Sequence, residues 1–153
     1  MNRKPDIYHI VNAIGIHLLI ALWSYAFIVK VADLAHYHNQ MNEQPFSPGF
    51  ISLLTYLLPL LEGLVALLLI LNKQMAGLSL SLLLLLAFTV YVLLVLGHYF
   101  PHTPCSCGGF ISKMSWKNHL WFNLGLIALN GFCFYYKYHQ ERRSTASINQ
   151  LIT

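Results

Sequence analysis

Four stretches of apolar residues, each close in length to the thickness of a bilayer, dominate this chain of 153 residues. A helix needs about 20 consecutive apolar residues to cross the hydrocarbon core, because each residue advances the helix by only about 1.5 Å. The stretches cover residues 10–31, 50–71, 76–99 and 119–138. Only 9% of the residues are charged, which is too few for a water-soluble domain of this length. The pattern predicts an all-α polytopic membrane protein, a four-helix transmembrane bundle.

The connections between these stretches are short, so residues 1–153 are predicted to form a single membrane domain. The first stretch is longer than the about 7–15 apolar residues of a cleavable signal peptide, and we expect it to be retained as a helix. Residues 35–49 are too polar to enter lipid and are expected to form a loop over the segment that contains Cys105. Residues 144–153 are expected to form a flexible tail.

The distribution of lysine and arginine predicts the orientation, because positive residues concentrate in cytoplasmic loops. Six of the 9 lie on the side that holds both termini, namely Arg3, Lys4, Lys73, Lys137, Arg142 and Arg143. The remaining three are Lys30, Lys113 and Lys117. Both termini are therefore predicted to be cytoplasmic in the inner membrane of a bacterium, with the loop between the third and fourth helices in the periplasm. Because these charges set topology, they imply no nucleic-acid partner.

That periplasmic loop contains two of the 3 cysteines, in the sequence Cys105-Ser106-Cys107-Gly108. A disulfide between residues i and i+2 closes a very small ring, in which the preferred dihedral angle of about 90° is hard to reach. Such a bond is more easily reduced than a structural bridge. Gly108 allows a backbone conformation that leaves both sulfurs accessible to another thiol. The spacing therefore predicts reversible thiol–disulfide exchange, with Cys105 and Cys107 as the reactive residues.

Two histidines near this pair leave a metal-binding interpretation open. His98 and His102, together with the two cysteines, provide a ligand set that suits Zn²⁺ or Cu⁺. Against a metal, Pro101 and Pro104 stiffen the segment, and two sulfurs one residue apart do not readily occupy two vertices of a tetrahedron. We therefore predict no metal and place both histidines among the supporting residues of the thiol site.

Polar residues within the apolar stretches mark further candidates, because an unpaired charge in lipid is costly. Glu62 lies near the middle of the second stretch, with His17 as its nearest partner by depth. A proton relay, a quinone contact and a structural hydrogen bond are all compatible with Glu62. Lys30 and Asp33 lie one helical turn apart, where they could pair with each other or line the floor of a redox pocket. Cys133 is expected to be a buried thiol outside the site.

Three of these elements together resemble the MauE/DoxX-type redox-associated membrane proteins. They are Lys30-x-x-Asp33, the stretch Pro59-Leu60-Leu61-Glu62-Gly63, and Cys105-Ser106-Cys107-Gly108. The resemblance covers nearly the whole chain. It implies a helper in a methylamine-utilisation type of system, needed for maturation of a disulfide-rich periplasmic protein.

Taken together, these features predict a membrane-embedded thiol–disulfide oxidoreductase that acts on a periplasmic thioredoxin-like or Cys-rich protein. Its electrons would pass to a membrane quinone or to a thioredoxin-like protein. An alternative is a non-catalytic membrane subunit or escort that binds a protein or peptide, with the cysteine loop merely structural. The Cys/His metal site is a third interpretation, and the sequence leaves all three open.

Overall fold

The computed structural model describes the backbone of residues 7–100 and 114–152, and the side chains of residues 7–100 and 114–143. The described residues form five helices. They are α1 (Ile7–Ala32), α2 (Leu34–Asn42), α3 (Pro48–Ile70), α4 (Gln74–Leu96) and α5 (Trp116–Ile152). The all-α prediction is confirmed.

Three of the described helices, α1, α3 and α4, are long and apolar enough to cross a membrane. Their outer faces carry large apolar side chains that are more than half exposed, such as Leu60 at 66% and Leu83 at 63%, as expected for a surface in contact with lipid. The fourth apolar stretch of the sequence, residues 119–138, lies within α5, which is 37 residues long and more polar overall. These helices make the chain a membrane protein.

The long helices pack side by side. The main contacts of α1 are with α3 and α5, and those of α4 are with the same two helices. Leu19, Trp23, Val65, Leu78 and Cys133 form the centre of the shared core. Lipid tails are as apolar as leucine, so helices in a membrane associate through close packing and polar contacts rather than through the hydrophobic effect.

The segment expected to be a loop, residues 35–49, instead contains most of α2. Asp33 caps this helix, because its carboxylate accepts a hydrogen bond from the backbone N–H of His36 at 3.0 Å. Tyr37 and Met41, one helical turn apart, are buried against the first half of α3. The loop prediction was wrong because a nine-residue helix with two apolar anchors has too short a periodic pattern to stand out.

Gly15 allows α1 and α5 to approach each other closely. A Cβ atom at this position would lie 2.6 Å from Sγ of Cys133 and 3.0 Å from a methyl carbon of Leu129. Cys133 is completely buried, with its sulfur 3.8 Å from the carbonyl oxygen of Asn12. As expected from the sequence, this thiol packs as a small residue inside the protein.

We expect Gly15→Ala to lower the melting temperature of the purified protein in detergent, because the added methyl group overpacks the α1–α5 contact by about 1–3 kcal/mol. Gly131→Ala is the matched control, because a Cβ there would have no neighbour within 4 Å and alanine favours a helix. Adding Cys133→Ala to Gly15→Ala should restore part of the loss, because it removes the nearest obstructing atom. Equal melting temperatures for the Gly15→Ala and Gly131→Ala variants would contradict this packing.

Candidate functional site

A buried ion pair joins α1 to α3. The Nζ atom of Lys30 lies 2.6 Å from Oε1 and 2.8 Å from Oε2 of Glu62. The two side chains are 11% and 2% exposed, respectively. The same ammonium group lies 5.7 Å from the centre of the Tyr37 ring. Each charge therefore has a partner in a region where a lone charge would be costly.

The local sequence brings the two helices together at this point. Gly63 lacks a side chain where a Cβ atom would lie 3.0 Å from the ring of Phe27, so α1 can approach α3 closely. Lys30 follows Phe27 by one turn, and Glu62 immediately precedes Gly63. Pro59, inside α3, has no N–H to donate and interrupts the backbone hydrogen bonds one turn before Glu62. The stretch from Pro59 to Gly63 thus allows the close helix crossing that holds the ion pair.

One partner assignment made from the sequence is wrong, and a second pairing that the sequence left open does not form. Glu62 does not pair with His17, whose side chain is exposed and whose Nδ1 lies 2.7 Å from the carbonyl oxygen of Ala13. Lys30 does not pair with Asp33, which caps α2 instead. Depth along a helix predicts the level of a residue but not its face, and His17 lies on the outer face of α1.

The ion pair forms part of the wall of a cavity of about 490 Å³ between the helices. All five helices contribute to its wall, which is mostly apolar and rich in aromatic rings, including those of Trp23, Phe46, Phe88, Tyr91 and Trp116. Binding pockets for small molecules typically measure about 300–1,000 Å³ and combine an apolar wall with a few polar groups. This interhelical cavity therefore has the size and composition of a ligand site.

Aromatic contacts connect the cavity wall to both sides of residues 101–113. The ring of Tyr91, on α4, lies 5.9 Å from that of Phe100 and 6.1 Å from that of Trp116. The Tyr91 hydroxyl also donates a hydrogen bond to the Gln44 side chain, close to the end of α2. The described residues that precede and follow the segment 101–113 therefore both contact the cavity wall.

The site residues predicted from the sequence fall into three groups. Lys30, Asp33 and Glu62 line the interhelical cavity. His98 follows α4 with an exposed side chain and a positive φ of 54°, and it is not part of the cavity wall. The others lie outside the described residues: Cys105, Cys107, His102 and Gly108.

Two polar residues of the cavity wall were not predicted. Asn123 is only 4% exposed, and its amide nitrogen has no hydrogen-bond partner among the described residues. Nδ1 of His119 also has no hydrogen-bond partner among the described residues, and the His119 ring stacks on that of Trp116 at 6.1 Å. In the sequence Asn123 only weakens an apolar stretch. The signal that could have identified it is that a polar residue in such a stretch faces the protein interior.

Asn130, by contrast, has a structural role. Its amide nitrogen donates a hydrogen bond to the carbonyl oxygen of Leu78 at 3.1 Å, which links α5 to α4. It is completely buried and does not line the cavity. The two asparagines of α5 thus differ in what their amide nitrogens contact, although the sequence presents them alike.

Comparison with known proteins adds one finding. A family model described as "Methylamine utilisation protein MauE" matches residues 8–136, which include α1 from its second residue, all of α2 to α4 and the first part of α5. No curated protein and no solved structure gives a match.

We expect Lys30→Met and Glu62→Leu each to destabilise the protein by about 3–5 kcal/mol, because each leaves a buried charge without its partner. The double variant should recover much of this loss, since both charges are removed together. The free energy of unfolding in mixed detergent micelles, followed by circular dichroism, measures the effect. His17→Ala serves as the control and should have little effect. Additive losses in the double variant would show that the two charges are not coupled.

Proposed function

Because the chain belongs to the methylamine utilisation protein MauE family, we propose that it is a membrane-embedded thiol–disulfide redox protein that assists the maturation of a periplasmic partner. The observation that carries this proposal is the position of the cysteine pair in the chain. Cys105 and Cys107 belong to the segment whose described neighbours, Phe100 and Trp116, both contact the wall of the interhelical cavity.

In this proposal α5 is a fourth membrane span, and the protein is a four-helix transmembrane bundle. Its packing against α1 and α4 supports this assignment. Asn123 and Asn130 are 4% and 0% exposed, so the polar groups that lower the hydropathy of α5 face other helices rather than lipid.

The proposed orientation places both termini in the cytoplasm and residues 101–113 in the periplasm, in a bacterial inner membrane. Four consecutive spans return the chain to its starting side, and six of the 9 lysines and arginines lie on that side. A periplasmic position suits the proposed chemistry because disulfides persist in that compartment.

The proposed reaction is a two-electron exchange between dithiols. A thiolate of the partner attacks one sulfur of the Cys105–Cys107 disulfide, whose S–S bond breaks and releases the other cysteine as a thiolate. A second thiolate of the partner then attacks the mixed disulfide, which forms the partner's own disulfide and leaves both cysteines reduced. The partner loses two electrons, and the cysteine pair gains them. A thioredoxin-like or Cys-rich periplasmic protein supplies the required pair of thiols.

The orientation is tested by labelling spheroplasts with a membrane-impermeant maleimide after mild reduction. In a Cys133→Ser background, we expect Cys105 and Cys107 to react without permeabilisation. In a variant that lacks the native cysteines, Lys73→Cys should react only after the membrane is permeabilised, because Lys73 lies between α3 and α4 on the opposite side. The reverse pattern would contradict the proposed orientation.

The proposed reaction is tested with the protein in nanodiscs, oxidised beforehand and mixed with a reduced dithiol protein. We expect Cys105→Ser and Cys107→Ser each to abolish oxidation of the partner, because either change removes the disulfide. Cys133→Ser should retain full activity, since Cys133 is completely buried and does not line the cavity. Gel shifts after trapping of free thiols measure the oxidised fraction. Equal activity of all three variants would overturn the proposed function.

A further inference from the structure

We propose that the interhelical cavity binds the headgroup of a membrane quinone, held by a hydrogen bond from Asn123 to a ring carbonyl oxygen. The proposal that a quinone binds rests on the residues of the cavity and does not depend on the function proposed above. The further step, in which the quinone takes electrons from Cys105 and Cys107, rests on the function proposed above.

The amide of Asn123 is a buried donor in the cavity wall. Its nitrogen is buried in the cavity wall with no acceptor among the described residues. A buried donor without an acceptor carries the full cost of its desolvation, which an acceptor on a bound molecule would relieve. Asn130, seven residues later, has already used its amide nitrogen within the protein. Within the described residues, the cavity wall therefore offers no acceptor to the amide nitrogen of Asn123.

His119 provides a second polar group in the same wall. It lies one helical turn before Asn123, so both side chains are on the same face of α5. Its Nδ1 has no partner within the described part of the chain, and it donates in the tautomer that carries a proton on that atom. Two donors on one helix face, both in the cavity wall, suit a carbonyl oxygen, which has two lone pairs to accept hydrogen bonds.

The rest of the wall is mostly apolar and aromatic. The rings of Trp23 and Phe88 stack at 6.4 Å with an interplanar angle of 30°, and further aromatic rings line the cavity. Aromatic faces favour contact with another planar ring. Lys30 and Glu62 neutralise each other, so the wall favours a neutral ligand. A neutral, planar, lipid-soluble molecule with ring carbonyls is a quinone.

In the proposed electron-transfer step, the quinone gains as many electrons and protons as the cysteine pair loses. The reduced thiols of Cys105 and Cys107 lose two electrons and two protons as their S–S bond forms. The quinone gains two electrons and two protons and leaves as the quinol. The cysteine pair is thereby returned to its oxidised form.

Binding is tested by adding a short-tailed ubiquinone to the full-length protein in nanodiscs and following tryptophan fluorescence, since Trp23 and Trp116 lie in the wall. We expect saturable quenching and a Kd that rises about tenfold in Asn123→Leu, the effect of losing roughly one buried hydrogen bond. Asn130→Leu, the same chemical change outside the cavity, should leave Kd unchanged. An alkylbenzene of equal tail length should bind weakly.

A second variant keeps the test independent of the folding of Asn123→Leu. Ala26 lines the cavity, and Ala26→Phe should block binding by filling space while all polar groups remain. Equal affinity for the quinone and the alkylbenzene would overturn the proposal and identify the cavity as a site for lipid tails. An unchanged Kd in Asn123→Leu would overturn it as well, because the quinone would then not be held by the amide of Asn123.

The experiment also separates this inference from the proposed function. The double variant Cys105→Ser/Cys107→Ser should bind the quinone with unchanged Kd but form no quinol, whereas the reduced native protein should form it. Binding without quinol formation by the native protein would overturn the electron transfer and leave the site in place. Partner oxidation without quinone binding would overturn the site and leave the proposed function in place.

Discussion

The ion pair between Lys30 and Glu62 determines how the membrane helices can be arranged. Two opposite charges at this depth are tolerable only when they face each other, because an unpaired charge in a low-dielectric region is strongly destabilising. Their contact, 2.6 Å at its shortest, sets both the rotation and the relative height of α1 and α3. The polar faces of these helices are thereby turned towards the interior, where they form part of the cavity wall.

The cavity is where the separate features of the chain meet. α2, held by the Asp33 cap, and the first turns of α5 complete the wall around the ion pair. Asn123 and His119 each bring to it a polar atom that has no partner in residues 7–100 and 114–143, and Tyr91 connects it to the residues on both sides of the cysteine segment. Two cysteines thus lie in a segment whose neighbours on both sides contact the wall of an apolar, aromatic cavity, and the proposed electron transfer between thiol and membrane rests on this arrangement.

Part of this arrangement could be predicted from the sequence. Apolar length alone identified the three helices that can cross a membrane, and the cost of an intramembrane charge correctly turned Glu62 inward. The partners of that charge were assigned incorrectly, because His17 shares its approximate depth but lies on the outer face of α1. Spacing left two options for Lys30 and Asp33, a mutual ion pair or a shared place in the floor of a pocket. In the structure both line the cavity, and the carboxylate of Asp33 caps the next helix. Asn123 was not identified as a residue of the cavity wall, because the sequence gives no sign that distinguishes it from Asn130 in the same apolar stretch.

The sequence by itself determined that this chain forms membrane helices, because apolar length and scarcity of charge are properties of individual segments. It also placed two cysteines one residue apart between the third and fourth apolar stretches, since spacing is a property of the chain. Only the tertiary structure decided which polar groups meet, because helix rotation and tilt follow from contacts such as Phe27 on Gly63 and Gly15 on Cys133. Those contacts join residues far apart in sequence, and no local pattern encodes them.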